Sequence, residues 1–392
     1  MAEFFNTGLS QQQFLDQYWQ KKPLLIRQAF ADFKSPISPD ELAGFACDEA
    51  FESRLIQQYG EDNDWELTTG PLSDSDFESL PDSHWTLLVQ DLDKHLPELA
   101  KLLIPFRFIP DWRRDDVMAS YAPSGGSVGP HTDGYDVFLL QAMGSRQWQI
   151  SNKPILEAEL IDGVDLQILA EFEAESEWRL EAGDILYLPP HFAHHGVALD
   201  DCMTFSIGFR APKQVEILDG LVNILLEKDL GKRHYSDSDL QLTEYEYEIN
   251  SQSISRLKQL LHDAVDEAEP LLANAFGKLV TETKSSLYEL ASEQFSELPS
   301  VDELDEQFSQ GHYLQKNSYL RFAWSQDKQN KVLYIAGEAY ELADCEIELV
   351  CLLAEKDKLR QPQWHQIKSD SVVTDLLCQF IADGIWLWKI SE

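Results

Sequence analysis

The spacing of apolar positions changes character twice along the chain. In the first stretch, Ser10 stands three residues before Gln13, a capping-box spacing, and Phe14, Tyr18 and Trp19 fall on one helical face, which predicts a helix there. Residues 23–27 read as a strand. Ser38-Pro39-Asp40-Glu41 opens a second helix over 40–47, with proline at its first position. A strand over 85–90 and an amphipathic helix over 92–103 follow. From residue 116 to about 210 the pattern becomes short strands separated by Gly, Pro and Asp turns: 117–121, 136–141, 146–150, 178–181, 185–188 and 203–209. The run Val137-Phe138-Leu139-Leu140 is apolar throughout, as in a strand buried on both faces. Many short strands at close spacing predict a double-sheet barrel or jelly roll.

After Ala211-Pro212 the period turns helical. Ile217, Leu221, Ile224 and Leu225 mark a helix over 215–230, and 254–261 and 271–280 repeat the pattern around Pro270. From residue 301, strands at 319–324 and 331–336, two helices and a last strand at 384–389 give an order that resembles a winged helix. The expected organisation is a mixed α/β chain in three parts, 1–212, 213–300 and 301–392.

Composition narrows the class. The 392 residues exceed one ordinary domain, and 43% hydrophobic with 26% charged residues excludes wholesale disorder. No apolar run approaches ~18 residues and Met1-Ala2-Glu3 lacks a basic leader, so neither a membrane span nor a secretory signal is expected. Five scattered cysteines without a C-x-x-C pair argue against a disulfide framework or structural zinc, and for a reducing cytoplasm. The net charge of −38 is spread along the chain. Such a field repels phosphate backbones and anionic membranes, excluding a nucleic-acid grip, and it attracts basic partners.

The candidate chemistry sits in Gly129-Pro130-His131-Thr132-Asp133 and in Pro189-Pro190-His191-Phe192-Ala193-His194-His195-Gly196. Side chains at i and i+2 of a strand share a face, so His131 and Asp133 can hold one ion together. A histidine from an opposite strand completes a two-histidine, one-carboxylate facial set. Such a set leaves positions open on non-haem Fe(II) for a bidentate co-substrate and dioxygen. An H-x-D pair alone is equally a surface turn with a capping aspartate. Arg146, 15 residues after His131, strengthens the metal reading. A buried arginine there needs an anion, and its fork matches a carboxylate, the alternative being an outward hairpin charge. Ala182-Gly183-Asp184 forms a turn leading through a strand to the Pro-Pro bend. The run 125–129 lacks the lysine and helix of a phosphate cradle and reads as a turn packed near the site.

These stretches resemble the JmjC-type Fe(II)/2-oxoglutarate oxygenases, most closely the bacterial ribosomal oxygenases that hydroxylate an arginine of a ribosomal protein. The matching segments are 115–118, 129–138, 183–190 and 206–212, with 14–19 and 22–27 near the N-terminus. The resemblance implies a double-stranded β-helix (jelly roll, cupin) catalytic domain over 1–212, a helical dimerisation region over 213–300 and a winged-helix-like domain over 301–392. It makes His131, Asp133 and His194 the iron ligands and Arg146 the anchor of the distal carboxylate of 2-oxoglutarate. His191, where the family has glycine, and His195 become bystanders. A helping hydroxyl would come from the strand holding Ser120 and Ala122.

It further implies that Asp116, Met118, Tyr135 and Ser206 line the channel for the target arginine. The chemistry agrees: a carboxylate for the guanidinium, an aromatic face and a thioether beside its methylenes, a hydroxyl for a spare N–H. For Met118 and Ser206 ordinary core is an equal reading. The expected protein is thus a cytoplasmic, homodimeric dioxygenase using Fe(II), 2-oxoglutarate and dioxygen to β-hydroxylate an arginine of the large-subunit ribosomal protein L-sixteen. Histidyl hydroxylation or lysine demethylation are alternatives within the class. A non-catalytic cupin-like binding module is the alternative outside it.

Overall fold

The unbroken apolar run at 137–140 resolves into two buried faces. Val137 and Leu139 pack with Trp148, Ile150, Leu180, Leu186 and Leu188. Phe138 and Leu140 join a larger core that includes Phe14, Phe106, Phe205 and Phe209. Because strand side chains alternate, both faces can be buried only where layers lie on both sides of the sheet.

The computed structural model describes residues 4–59, 64–242, 244–327, 330–342 and 345–390. It divides into Met1–Ala211 and Pro212–Glu392. Strands of the first unit are β1 (Leu24–Ile26), β2 (Ser53–Tyr59), β3 (Asp64–Thr69), β4 (Trp85–Val89), β5 (Arg114–Ala122), β6 (Val137–Met143), β7 (Ser145–Pro154), β8 (Ser176–Glu181), β9 (Ile185–Leu188), β10 (Phe192–Ala198) and β11 (Cys202–Phe209). They form an eight-stranded sheet, β1-β9-β6-β11-β5-β4-β2-β3, and a three-stranded sheet, β10-β7-β8. The two sheets enclose the smaller apolar cluster, which makes the unit a double-stranded β-helix.

The outer face of the large sheet is covered by the N-terminal helices. Ser10 caps Gln11–Gln17 through a complete capping box and sends Phe14 into the core, fully buried. A polar tether crosses that core: the Tyr187 hydroxyl donates to Asp136 at 2.6 Å, and Gln20 and Arg113 also donate to Asp136, at 2.9 and 3.0 Å. The helix expected over 92–103 is instead three short turns, Leu92–His95, Pro97–Ala100 and a 3-10 turn over Lys101–Phe106. Pro97 has no N–H to continue the first of them and serves as the opening residue of the second.

The second unit begins with helices Gln214–Glu227, Ser251–Ala268, Leu272–Thr281 and Ser285–Ser292. The first two leave apolar side chains in solvent, Val222 at 52%, Leu226 at 73% and Leu261 at 60% exposure. Beyond Val301–Ser309 a separate core is built from strands and from three helices, Ile347–Glu355, Gln361–Ile367 and Ser371–Ala382, one more than the pattern had suggested. The strand expected at 319–324 begins at Phe322 and pairs with Asn330–Ile335, while Trp386–Lys389 closes on Tyr313–Lys316.

Candidate active site

The loop carrying the H-x-D pair is stitched to β10 by two backbone hydrogen bonds, His131 N–H to the His194 carbonyl at 3.0 Å and His194 N–H to the His131 carbonyl at 2.9 Å. Gly129 makes the approach possible: its φ is +80°, and a Cβ there would come within 2.9 Å of Ile168. The result gathers three side chains. One ligand atom each from His131, Asp133 and His194 lies within 4.8 Å of the other two. His194 Nε2 is 3.6 Å from Asp133 Oδ2.

The histidine tautomers follow from the surroundings. His131 Nδ1 is 2.9 Å from the Gly129 carbonyl, and His194 Nδ1 is 2.9 Å from the Phe192 carbonyl. A carbonyl oxygen only accepts, so each Nδ1 donates, and each Nε2 keeps its lone pair for an ion. His194 is held neutral, its pKa pushed down to about 4 by burial and then by the neighbouring His131. Two imidazole nitrogens and one carboxylate on one side of a point fit Fe(II) with three positions left open.

The other two histidines are placed differently. His194 pairs with Ile150 across to β7 and His195 with Gln149, so their side chains leave opposite faces of β10. His195 lies edge-on to Phe172, with ring centroids 6.5 Å apart. His191 contributes its backbone: its N–H donates to the Asp133 carbonyl at 2.7 Å, and its carbonyl accepts from Ile155 at 2.7 Å. Its φ of +67° lies in the left-handed region, which is why a glycine suits this position.

Arg146 points inward from β7 and is 3% exposed. Its Nε and Nη2 are buried without a hydrogen-bond partner, and its guanidinium carbon lies 5.7 Å from the Trp148 ring. A buried, unpaired guanidinium is costly, so the site is arranged for an anion. The distal carboxylate of a dicarboxylic acid fits, because the fork can bind it bidentately.

Of the residues expected to line a substrate channel, Asp116 and Met118 lie on β5, Ser206 lies on β11, and Tyr135 stands in the loop before β6. Val117 and Ala119 enter the outer core with Phe205 and Ile207. Alternation therefore turns Asp116, Met118, Ser120, Ser206 and Gly208 inward. Ser206 pairs directly with Met118 and, on its other side, with Leu139. Asp116 accepts from the Asp91 N–H at 3.2 Å. Its pKa is pushed up to about 7, chiefly by burial and then by the Asp115, Asp91 and Asp93 carboxylates. Tyr135 remains 44% exposed beside Asp133, whose charge, together with burial, raises the phenol's pKa. Ser120 is buried and donates to the Thr204 carbonyl at 3.5 Å, whereas Ala122 packs with Ala198 and Cys202.

Two features escaped the sequence reading. The strand carrying His194 was not foreseen, because Phe192–Ala198 holds two histidines and a glycine where β-branched residues would mark a strand. Trp148 was not singled out either, although it stands two residues from Arg146 on the same face, with its ring 5.8 Å from that of His194.

Comparison with known proteins gives the following. The JmjC domain family matches residues 101–217, and the ROXA-like winged helix family matches residues 259–387. The ribosomal protein uL16 3-hydroxylase of Escherichia coli (strain K12) is 36% identical over 79% of this chain and 80% of its own length. A probable ribosomal oxygenase of Haemophilus influenzae is 32% identical over 97% of this chain and 95% of its own. The structure of YcfD, a ribosomal oxygenase from Escherichia coli, in complex with cobalt and 2-oxoglutarate, superposes with a TM-score of 0.77. It is 29% identical over 97% of this chain and 99% of that one.

Proposed function

The chain belongs to the JmjC-type ribosomal oxygenases, and from that premise we propose that it is a Fe(II)- and 2-oxoglutarate-dependent hydroxylase of a ribosomal protein, acting on an arginine of uL16. The observation that carries the reading is the pairing of the His131, Asp133 and His194 cluster with the buried, unpartnered Arg146 on the neighbouring strand. Fe(II) with 2-oxoglutarate and dioxygen supplies the oxidising power to convert an unactivated C–H into an alcohol. His131 and His194 would bind the metal through Nε2, with Asp133 as the anionic ligand. The carbonyls of Gly129 and Phe192 hold both rings in register. Arg146 would anchor the distal carboxylate of 2-oxoglutarate and so set its orientation.

For the substrate, Asp116 offers a carboxylate surrounded by three others, with no cation among the groups that shift it. A guanidinium entering beside it would neutralise that repulsion. Tyr135 would stack on the arginine, with Met118 and Ser206 lining its stem. The net charge of −38 favours encounter with a basic ribosomal protein. The exposed apolar face of helices Gln214–Glu227 and Ser251–Ala268 supports a homodimer. Free cysteines throughout agree with a cytoplasmic setting.

The test is to incubate the protein with iron, 2-oxoglutarate and uL16-derived peptides and to map added oxygen by mass spectrometry. A peptide pair with Arg or His at the target position separates the two hydroxylations. Preference for Arg is expected, and equal use of His by the wild-type protein would overturn the arginine assignment.

A further inference from the structure

Hydrogen bonding on the inner face of β7 leaves more donors than Arg146 can explain. Trp148 is 4% exposed and its indole Nε1 has no partner, as with Nε and Nη2 of Arg146. Buried N–H groups are nearly always met in a native protein, by protein or by ordered water. Three unmet donors on two side chains of one face, with the guanidinium carbon 5.7 Å from the indole ring, imply a ligand rich in acceptors. The same ring lies 5.8 Å from His194, so the indole neighbours both the anion anchor and the metal cluster. Its orientation is fixed from one side. A Cβ at residue 196 would come within 2.7–2.9 Å of Cη2, Cζ3 and Cε3, so that side of the ring rests on Gly196. The N–H belongs to the five-membered ring, at the opposite edge of the indole from those three atoms.

We propose that Trp148 is a second binding residue for the co-substrate, its Nε1–H donating to an oxygen of the 2-oxoglutarate that Arg146 anchors. The proposal rests on the reading of the site as an Fe(II)/2-oxoglutarate centre. It adds a neutral donor to the charged one, and it gives Gly196 a role in keeping room for the indole. An apolar aromatic at position 148 would pack equally well but would leave the ligand one hydrogen bond short.

Trp148→Phe removes the N–H and keeps most of the ring. With Mn(II)-loaded protein, calorimetric titration of 2-oxoglutarate should show affinity about ten- to a hundred-fold weaker in the variant, the range for a hydrogen bond to a charged group. Mn(II) affinity itself should stay within about two-fold, since no metal ligand is touched. A second measurement uses Zn(II)-loaded wild type with 15N-labelled tryptophan. The Trp148 indole resonance should move downfield as 2-oxoglutarate saturates the site. It is identified by its absence in the variant or, should that variant not fold, by its broadening when Mn(II) replaces Zn(II). Equal 2-oxoglutarate affinity in the variant, or an indole resonance that does not move, overturns the proposal. Wild-type protein that takes up Mn(II) but no 2-oxoglutarate overturns the co-substrate reading, and this proposal with it.

Discussion

Replacing Arg146 with methionine should stabilise the ligand-free protein while removing its grip on 2-oxoglutarate. Arg146 is 3% exposed, two of its three guanidinium nitrogens are buried without partners, and its guanidinium lies near the Trp148 ring. The effective cost of burying an unpaired ion is several kcal/mol, against which a cation–π contact returns about 0.5–2 kcal/mol. Methionine fills a similar volume without charge, so the ligand-free variant should gain about 1–4 kcal/mol. For a unit the size of Met1–Ala211 each kcal/mol moves Tm by about 2–4 °C. The variant should therefore melt several degrees higher. Adding 2-oxoglutarate to the Mn(II)-loaded proteins reverses the order. The wild type gains about 2.7 kcal/mol at a hundred times its Kd, and the variant gains nothing. Differential scanning calorimetry with and without the co-substrate measures both halves. An Arg146→Met protein that melts lower when ligand-free, yet still gains stability from 2-oxoglutarate, would refute the reasoning. Arg146 would then have a structural partner and the anion would bind elsewhere.

Other consequences can be measured separately. His131→Ala, Asp133→Ala and His194→Ala should each abolish 2-oxoglutarate turnover and tight Mn(II) binding, whereas His195→Ala, on the opposite face of β10, should keep most of both. His191→Gly should raise stability in urea by about 0.5–1 kcal/mol relative to His191→Ala, because glycine accepts the φ of +67° without strain. Leu226→Glu combined with Leu261→Glu should shift sedimentation at micromolar concentration from dimer to monomer, and an unchanged value for the pair would exclude these helices as the interface. Asp116 has its folded pKa raised from 3.8 to about 7, so the native state holds the proton longer and stability falls as pH rises across that window. Asp116→Asn should match the wild type near pH 4 and exceed it by roughly 3–5 kcal/mol at pH 8, while arginine-peptide hydroxylation drops at least about 30-fold; parallel stability curves for the two proteins would refute the assignment.

The parts of the fold that were legible are those where one local signal sufficed. Ser10 with Gln13 and Ser38 with Glu41 announce their helices, and both capping boxes form. The apolar run at 137–140 announces a doubly covered strand, and its residues do divide between two cores. Legibility failed where the local signal was absent or misleading. β2 and β3 hold strand formers such as Ile56, Tyr59, Trp65 and two threonines, but Arg54, Gln57, Gln58 and Glu66 interrupt them, so no continuous apolar or alternating run marks a sheet extension. β10 is a strand through its ladder with β7 and not through propensity, since residues at a site are chosen for what they bind. The H-x-D pair could be seen at once. The resemblance points to His194 among three nearby histidines, and register gives the physical reason, because a shift of one residue along β10 exchanges His194 for His195.

Register also explains how one barrel can present two unlike charges on its inner face. The inner face holds a buried guanidinium on β7 and, on β5, a carboxylate whose pKa is raised by burial and by other acids. Among the described residues neither has an ion-pair partner, and neither is on the outer face, where Asp136 is met by Tyr187, Gln20 and Arg113. An ion pair between Arg146 and Asp116 would relieve both and close the site. The two stand on strands of different sheets, and no ion pair between them is found among the described residues. On the proposed reading each charge would then serve a ligand, Arg146 a dicarboxylic acid and Asp116 a guanidinium. The stability forgone in the empty protein becomes binding energy for ligands that bring the missing charge. The −38 net charge leaves this division untouched, since a long-range field draws a basic chain to the surface but cannot choose which of its side chains enters. On the proposed reading, that choice would fall to Asp116 and the residues beside it on β5 and β11.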